Sequence, residues 1–162
     1  MTKIICAFAG TGKTEASKFT CWRTRDSDSD EFKWSAQGSN RIREPGYKNP
    51  AWPQNFIDHA VTEYAKGDFD AILMSAYVEL LPKIASHIPL IYVYPPLDMK
   101  DEFEMRYRRR GPNWVADLLT DGFDKWITAL MAMEGHHVVL KRKLDGTCEY
   151  LSEVLPGILA RP

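Results

Sequence analysis

Short apolar runs alternate along this chain with longer segments whose apolar residues recur at helical spacing. Residues 3–9, 69–75 and 90–94 are nearly continuous apolar stretches. Runs of that length, bounded by polar or turn residues, predict strands buried on both faces. Phe56, Ala60, Val61 and Tyr64 fall on one face of a helix over 55–66, which Gly67-Asp68 ends. Helices are also expected over 13–19, over 78–85 with an interruption at Pro82, over the highly charged 100–110, over 113–133 with a break at Gly122, and over 149–159. Weaker patterns predict strands over 20–25 and 136–140. Residues 35–53, rich in Gly, Asn, Pro and Ser and closed by Pro50-Ala51-Trp52-Pro53, read as a long loop. Strands alternating with helices predict an α/β fold: a mostly parallel sheet with helices on both faces.

Composition narrows this only a little. A chain of 162 residues with 44% apolar content suffices for one domain with a core, spanning 1–162, and is short for two. The formal net charge of −1 supplies no global attraction to nucleic acid or to an acidic membrane, so any nucleic-acid contact needs a local basic patch. Cys6, Cys21 and Cys148 are odd in number and lack metal-ligand spacing, which predicts reduced thiols. Met1-Thr2-Lys3 leads straight into the first strand, and no apolar stretch is long enough to span a bilayer. A cytoplasmic protein with no membrane partner is expected.

Chemistry enters with Ala7-Phe8-Ala9-Gly10-Thr11-Gly12-Lys13-Thr14, placed between the first strand and the first helix. It follows the phosphate-binding loop pattern G-x-x-x-x-G-K-[ST], with Ala7 in place of the first glycine. In such a loop, successive backbone N–H groups of Gly10, Thr11, Gly12 and Lys13 curl around a phosphate. The glycines permit close approach. Lys13 supplies a mobile positive charge, and the Thr14 hydroxyl suits Mg²⁺, which prefers oxygen ligands.

Three further clusters fall at the carboxyl ends of predicted strands, where open α/β sheets bind ligands. Asp26-Ser27-Asp28-Ser29-Asp30 follows the second strand; a carboxylate there can orient a hydroxyl, take its proton or hold Mg²⁺. Alternation sets Asp26 and Asp28 on one side. Arg106, Arg109 and Arg110 share a helix face ahead of Gly111-Pro112, where guanidinium groups can stabilise a transferring phosphoryl group; the competing reading pairs them with Asp101, Glu102 and Glu104 on a solvated face. Ser75 ends the middle strand where a metal-holding carboxylate would be expected, and Asp70 lies at the wrong end, so metal duty shifts to Thr14 and the acidic turn. Trp52, Pro53 and Phe56 either stack on a base or staple the core, the second being the commoner role. His59, His87, His136 and His137 lack ligand or triad spacing and read as structural or surface residues.

On these residues the chain resembles the P-loop kinases, over nearly its whole length: phosphate loop, acidic turn, acceptor region, middle strand, arginine helix, last strand and helix. Asp26–Ser29, Trp52-Pro53-Gln54-Asn55-Phe56-Ile57, Ser75 and Tyr94-Pro95 through Arg106–Gly111 resemble more narrowly the compact phage-encoded kinases, among them the 5-hydroxymethyluracil DNA kinases. The resemblance implies a three-layer P-loop NTPase fold of the nucleoside/nucleotide-kinase type, with an acceptor-binding loop near 30–60 and a lid-like helix near 100–112. It implies ATP and Mg²⁺ as cofactors, and γ-phosphate transfer to a hydroxyl of a modified pyrimidine in DNA, in a host cytoplasm. Ala9 through Thr14 and Arg109 would bind the nucleotide. Lys13, Asp26, Asp28, Arg106 and Arg110 would serve catalysis, with Asp26 or Asp28 the base, and Thr14 and Asp28 would hold the metal. The chain lacks the Asp-Arg-Tyr/His acceptor signature of thymidylate kinases and a long inserted lid. The alternatives are a deoxynucleoside monophosphate kinase and a nucleotide-binding switch or interaction protein with no small acceptor. Lys33, Arg41, Arg43 and Lys48 are the candidate basic patch for a DNA acceptor.

Overall fold

A computed structural model describes residues 1–37, 40–41 and 45–161. In chain order the elements are β1 (Lys3–Ala7), α1 (Lys13–Ala16), β2 (Thr24–Ser27), α2 (Asp30–Lys33), β3 (Ala36–Gln37), β4 (Asn40–Arg41), α3 (Gln54–Lys66), β5 (Ala71–Ser75), α4 (Leu81–Ala85), β6 (Leu90–Tyr94), α5 (Lys100–Arg110), α6 (Asn113–Met131), β7 (His136–Val139) and α7 (Leu151–Ala160). Five strands form one all-parallel sheet in the order β2-β5-β1-β6-β7, flanked by helices. β3 and β4 form a separate antiparallel pair. No helix among the described residues is long and apolar enough to cross a membrane.

The unbroken apolar runs become the sheet's centre. Ile4, Ile5, Cys6 and Ala7 of β1 are buried between Ala71–Met74 of β5 and Leu90, Tyr92 and Val93 of β6. Strand order sets the site. From β1 the chain crosses to β2 and returns to β5 on one side, then passes to β6 and β7 on the other. β1 is therefore where the winding reverses, and a crevice opens beyond its carboxyl end. Register brings Ala7 level with Ser75 and Val93, and Ser27 level with Met74, so the loops after β1, β2, β5 and β6 meet there.

Several expectations shift. The second strand lies at Thr24–Ser27, not 20–25, and so takes in Asp26 and Ser27 of the acidic turn. Its ladder with β5 pairs Thr24 with Ala71 and Ser27 with Met74, and Ser27 Oγ shares a 2.8 Å hydrogen bond with His59 Nε2. These bonds let a polar sequence enter the sheet. The long loop contains α2, the β3–β4 pair and a 3₁₀ turn at Pro45–Tyr47. The break expected at Gly122 is absent: α6 runs through it, and a Cβ there would lie 2.5 Å from the Trp126 ring, so glycine makes room for that ring. Pro82 lies in the first turn of α4, where its missing N–H costs nothing, and the helix begins at Leu81.

Candidate active site

The phosphate-loop sequence follows β1 directly. Gly10 and Gly12 both take positive φ, 81° and 88°, and no residue other than glycine does so among the described residues. Ala7 therefore closes the strand in ordinary geometry, and its side chain costs the loop nothing. Its carbonyl accepts from Ala76 N at 3.2 Å and from Lys13 Nζ at 3.3 Å. A Cβ on Gly10 would lie 2.8 Å from Tyr107 Cε1, and one on Gly12 would lie 3.0 Å from Tyr150 Cδ1. Both glycines thus answer to steric closeness as well as to φ. Thr11 is committed inward: its N–H and hydroxyl both reach the Phe8 carbonyl, and its own carbonyl accepts from Leu151 N at 2.8 Å. That removes the Thr11 amide from the set expected to face a phosphate.

Lys13 opens α1 and is partly enclosed. Burial lowers the pKa of its ammonium, while Asp26 and then Asp28 pull it back up and Arg110 works against them. All four charged groups thus converge on one small region. The Thr14 hydroxyl donates to Asp26 Oδ2 at 2.8 Å, and Asp26 Oδ1 is buried with no hydrogen-bond partner. Asp28, expected beside Thr14 in the metal set, is exposed and its Oδ1 accepts from Asp30 N at 3.1 Å. Asp26 takes that place because β2 extends to Ser27 and carries Asp26 alongside the first turn of α1. Among the described residues no group of three or more His, Cys, Asp or Glu could hold a metal unaided. A Thr hydroxyl with one carboxylate instead suits an ion that keeps waters and takes further oxygens from a bound phosphate, as Mg²⁺ does.

The arginines of α5 separate into three roles. Arg106 is only 6% exposed; its guanidinium pairs with Glu102, donates to the carbonyls of Gly10 at 3.1 Å and Cys148 at 2.7 Å, and stacks on Phe103 and Tyr150. Expected as a catalytic arm, Arg106 is instead built in as the strut joining α5, the phosphate loop and the segment before α7. Arg108 pairs with Glu104 and Asp117 at the surface. Arg109 and Arg110 have no ion-pair partner among the described residues, and they line a cavity of about 410 Å³ with Arg106, Gly10, Gly12, Thr14, Tyr150 and one carboxylate, Glu15, which pairs with Lys18. The bland reading of the charge run holds for the Glu104–Arg108 pair; all three remaining arginines border the loop, Arg106 held by its partners and Arg109 and Arg110 without an ion pair among the described residues.

A second cavity, about 310 Å³, lies by Lys13 and is lined by Phe8, Ala9, Ser29, Ser75, Tyr77, Glu79, Leu118, Leu119 and Trp126. Ser75 Oγ is the acceptor for Ser29 N at 3.5 Å, which ties the ends of β5 and β2 together. Phe56 is fully buried core, and Trp52 packs edge-on to Tyr77 and against Phe56. Of the proposed basic patch, Lys33 is held inward, donating to Tyr77 Oη at 2.6 Å, and Lys48 is exposed. Arg43 lies outside the described residues, and Arg41 is described only as a member of β4. Burial pushes the Cys6 thiol up to about 12 and Cys148 up to about 11, so neither is a thiolate at neutral pH.

Sequence reasoning missed Tyr77, Tyr150 and the lining residues Leu118, Leu119 and Trp126. Their contacts with the site span dozens of residues, and local spacing carries no signal for them; the Glu102–Arg106 pair, at i,i+4 spacing, was legible as a pair but not as a buried one. The chain matches no protein-family model and no curated protein.

Proposed function

We propose that the protein is an ATP-dependent kinase of the P-loop class. The observation that carries this reading is the Thr14–Asp26 pair, with its orphaned buried oxygen, set against Lys13 and a loop whose two glycines adopt positive φ. Arg109 and Arg110, with no ion-pair partner among the described residues, lie beside that loop and would supply positive charge to a triphosphate; the cavity's one carboxylate, Glu15, pairs with Lys18. The available N–H groups of Gly10, Gly12 and Lys13 would hold the β-phosphate. Lys13 would span to the γ-phosphate, and Thr14 with Asp26 would hold Mg²⁺. The metal's contribution there is to neutralise charge on the phosphate oxygens.

The ≈310 Å³ cavity supplies a separate space for an acceptor. An acceptor hydroxyl oxygen forms a bond to the γ-phosphorus as the bond from that phosphorus to the β-phosphate's bridging oxygen breaks, releasing ADP. The hydroxyl proton would pass to Asp28, which precedes Ser29 of that cavity's lining in the chain, is exposed, and has its Oδ1 engaged by Asp30 N. From the resemblance, the acceptor is a hydroxymethylated pyrimidine in DNA.

The test is transfer from γ-labelled ATP, with Mg²⁺, to DNA containing 5-hydroxymethyluracil, to unmodified DNA and to a panel of deoxynucleoside monophosphates. Label on the modified DNA alone, absent with Lys13→Ala, supports the reading in full. Label on a mononucleotide keeps the kinase and discards the DNA acceptor. ATP binding without transfer to any acceptor points to a nucleotide-dependent switch instead.

A further inference from the structure

The sheet ends in β2 on one side and β7 on the other, and the two edges differ. β2 carries Arg25 and Asp26, charges of the kind that keep an edge from pairing. β7 carries no lysine, arginine, carboxylate or proline, and among the described elements it packs closely against β6 alone. Its Val139 is 45% exposed.

Hydrogen bonds show which main-chain groups of β7 are open. Leu140 N donates to the Tyr94 carbonyl at 2.9 Å, so the N–H and C=O of Leu140, and by alternation those of Val138, face β6. Those of His137, Val139 and Lys141 face outward. At Lys141 they are taken: the N–H donates to Glu149 Oε2 at 2.8 Å, and the carbonyl accepts from Glu149 N at 2.9 Å. At His137 and Val139 no described residue takes them. Ahead of His136 the chain turns at Gly135, whose φ is 144°. The open edge is therefore a window holding His137 and Val139, closed by Glu149 at one end and by the Gly135 turn at the other.

This window complements itself. In an antiparallel pair, opposed residues whose main-chain groups face each other exchange both N–H···O=C bonds. A twofold axis beside Val138 sets His137 of each copy opposite Val139 of the other, so two such pairs form, with two bonds each. A slip of one residue would oppose outward groups to inward ones. A slip of two would pair His137 with Lys141, whose groups Glu149 already holds, or leave Val139 opposite the Gly135 turn. No lysine, arginine or carboxylate lies between His136 and Leu140 to oppose the pairing.

We propose that β7 is an interface between two copies of this chain, paired antiparallel about a twofold axis at Val138 so that their sheets become one. The contact is short, below the size of a permanent interface, so monomer and dimer exchange with concentration. The proposal does not depend on the kinase reading.

Sedimentation velocity of the full chain, from about 10 μM to about 1 mM, follows the equilibrium, and the dimer fraction is expected to rise across the series. Amide hydrogen exchange locates the contact. The N–H groups of His137 and Val139 should exchange about two- to tenfold more slowly at the highest concentration, as pairing protects them, while Val138 and Leu140, already bonded to β6, should not change. Val139→Pro removes an outward N–H that the monomer does not use, and with it one bond of each pair. Its urea midpoint should stay near that of wild type, and its dimer should weaken by about tenfold or more. Val139→Lys keeps the main chain but brings a charge to the edge; it should weaken the dimer too, and it carries the test if the proline variant does not fold. A wild-type chain that stays monomeric up to about 1 mM, a dimer that the folded variants do not weaken, or protection that arises elsewhere and not at His137 and Val139 overturns the proposal.

Discussion

Thr14 donates its hydroxyl to Asp26 Oδ2 at 2.8 Å, and the same carboxylate's Oδ1 is buried without a hydrogen-bond partner. A buried acceptor left unpaired is costly, and a bound cation is the natural way to satisfy it. Asp26→Asn keeps the shape and removes the charge. It is expected to lower phosphoryl transfer by about a hundredfold or more, in the range seen when one electrostatic stabiliser is lost. ATP binding without Mg²⁺ should change little, while the strengthening of binding by Mg²⁺ should disappear. Titrations with and without the metal check this, and a variant that still shows the full metal effect would remove Asp26 from the metal set.

Gly10 and Gly111 separate loop geometry from glycine content. Gly10 combines a φ of 81° with a position where a Cβ would lie 2.8 Å from Tyr107 and 3.2 Å from Phe103. Gly111 has extended backbone and nothing within 4 Å of its Cβ position. Gly10→Ala should therefore lose about 1–3 kcal/mol of stability and most nucleotide binding. Gly111→Ala should stay within about 0.5 kcal/mol of wild type. Urea unfolding and ATP titration of the two variants side by side provide the comparison; equal behaviour would contradict the loop geometry.

The Arg106–Glu102 pair should behave as a buried structural unit. Arg106 is 6% exposed, and Glu102 Oε2 also accepts from Cys148 N at 2.6 Å. Glu102→Ala leaves the guanidinium enclosed without its counter-charge, and a loss of about 3–5 kcal/mol is expected. Adding Arg106→Met should recover a substantial part of it. Urea midpoints of the single and double variants form the cycle, and strictly additive losses would mean the pair is not coupled.

How much of this was legible in the sequence varies with the distance over which each feature is fixed. β1, β5 and β6 announce themselves because strands buried on both faces must be apolar throughout. The loop glycines are equally plain, since their conformation is local. β2 is obscured because Thr24, Arg25, Asp26 and Ser27 are polar; the strand is held by β5, by His59 on Ser27 and by Glu63, 3.5 Å from Arg25. Helical spacing places Arg106, Arg109 and Arg110 on one face. It does not reveal that Cys148 and Tyr150, some forty residues later, enclose the first and leave the others open. Tyr77 accepts from Lys33, 44 positions earlier, and no window of sequence contains both.

Lys13 offers a test of whether the site trades stability for binding. Burial lowers its pKa from the ordinary 10.5, more than Asp26 and Asp28 raise it. Between that lowered value and 10.5 the unfolded chain binds more protons than the folded one, so stability rises with pH across the window. Below the window Lys13 is charged in both states, and the full cost of enclosing the charge falls on the folded protein. Lys13→Met, similar in volume and uncharged, should therefore raise the Tm of the nucleotide-free protein at neutral pH. The gain should shrink as pH climbs through the folded pKa towards 10.5. If the protein binds MgATP as proposed, the same variant should lose the upward Tm shift that MgATP gives the wild type, because the charge enclosed in the empty fold would be the one that meets the phosphates. Thermal melts of both proteins from pH 7 to pH 10, with and without MgATP, measure the two effects together. A variant that melts lower than wild type when empty, yet still responds to MgATP, would show that Lys13 serves the fold and not the ligand.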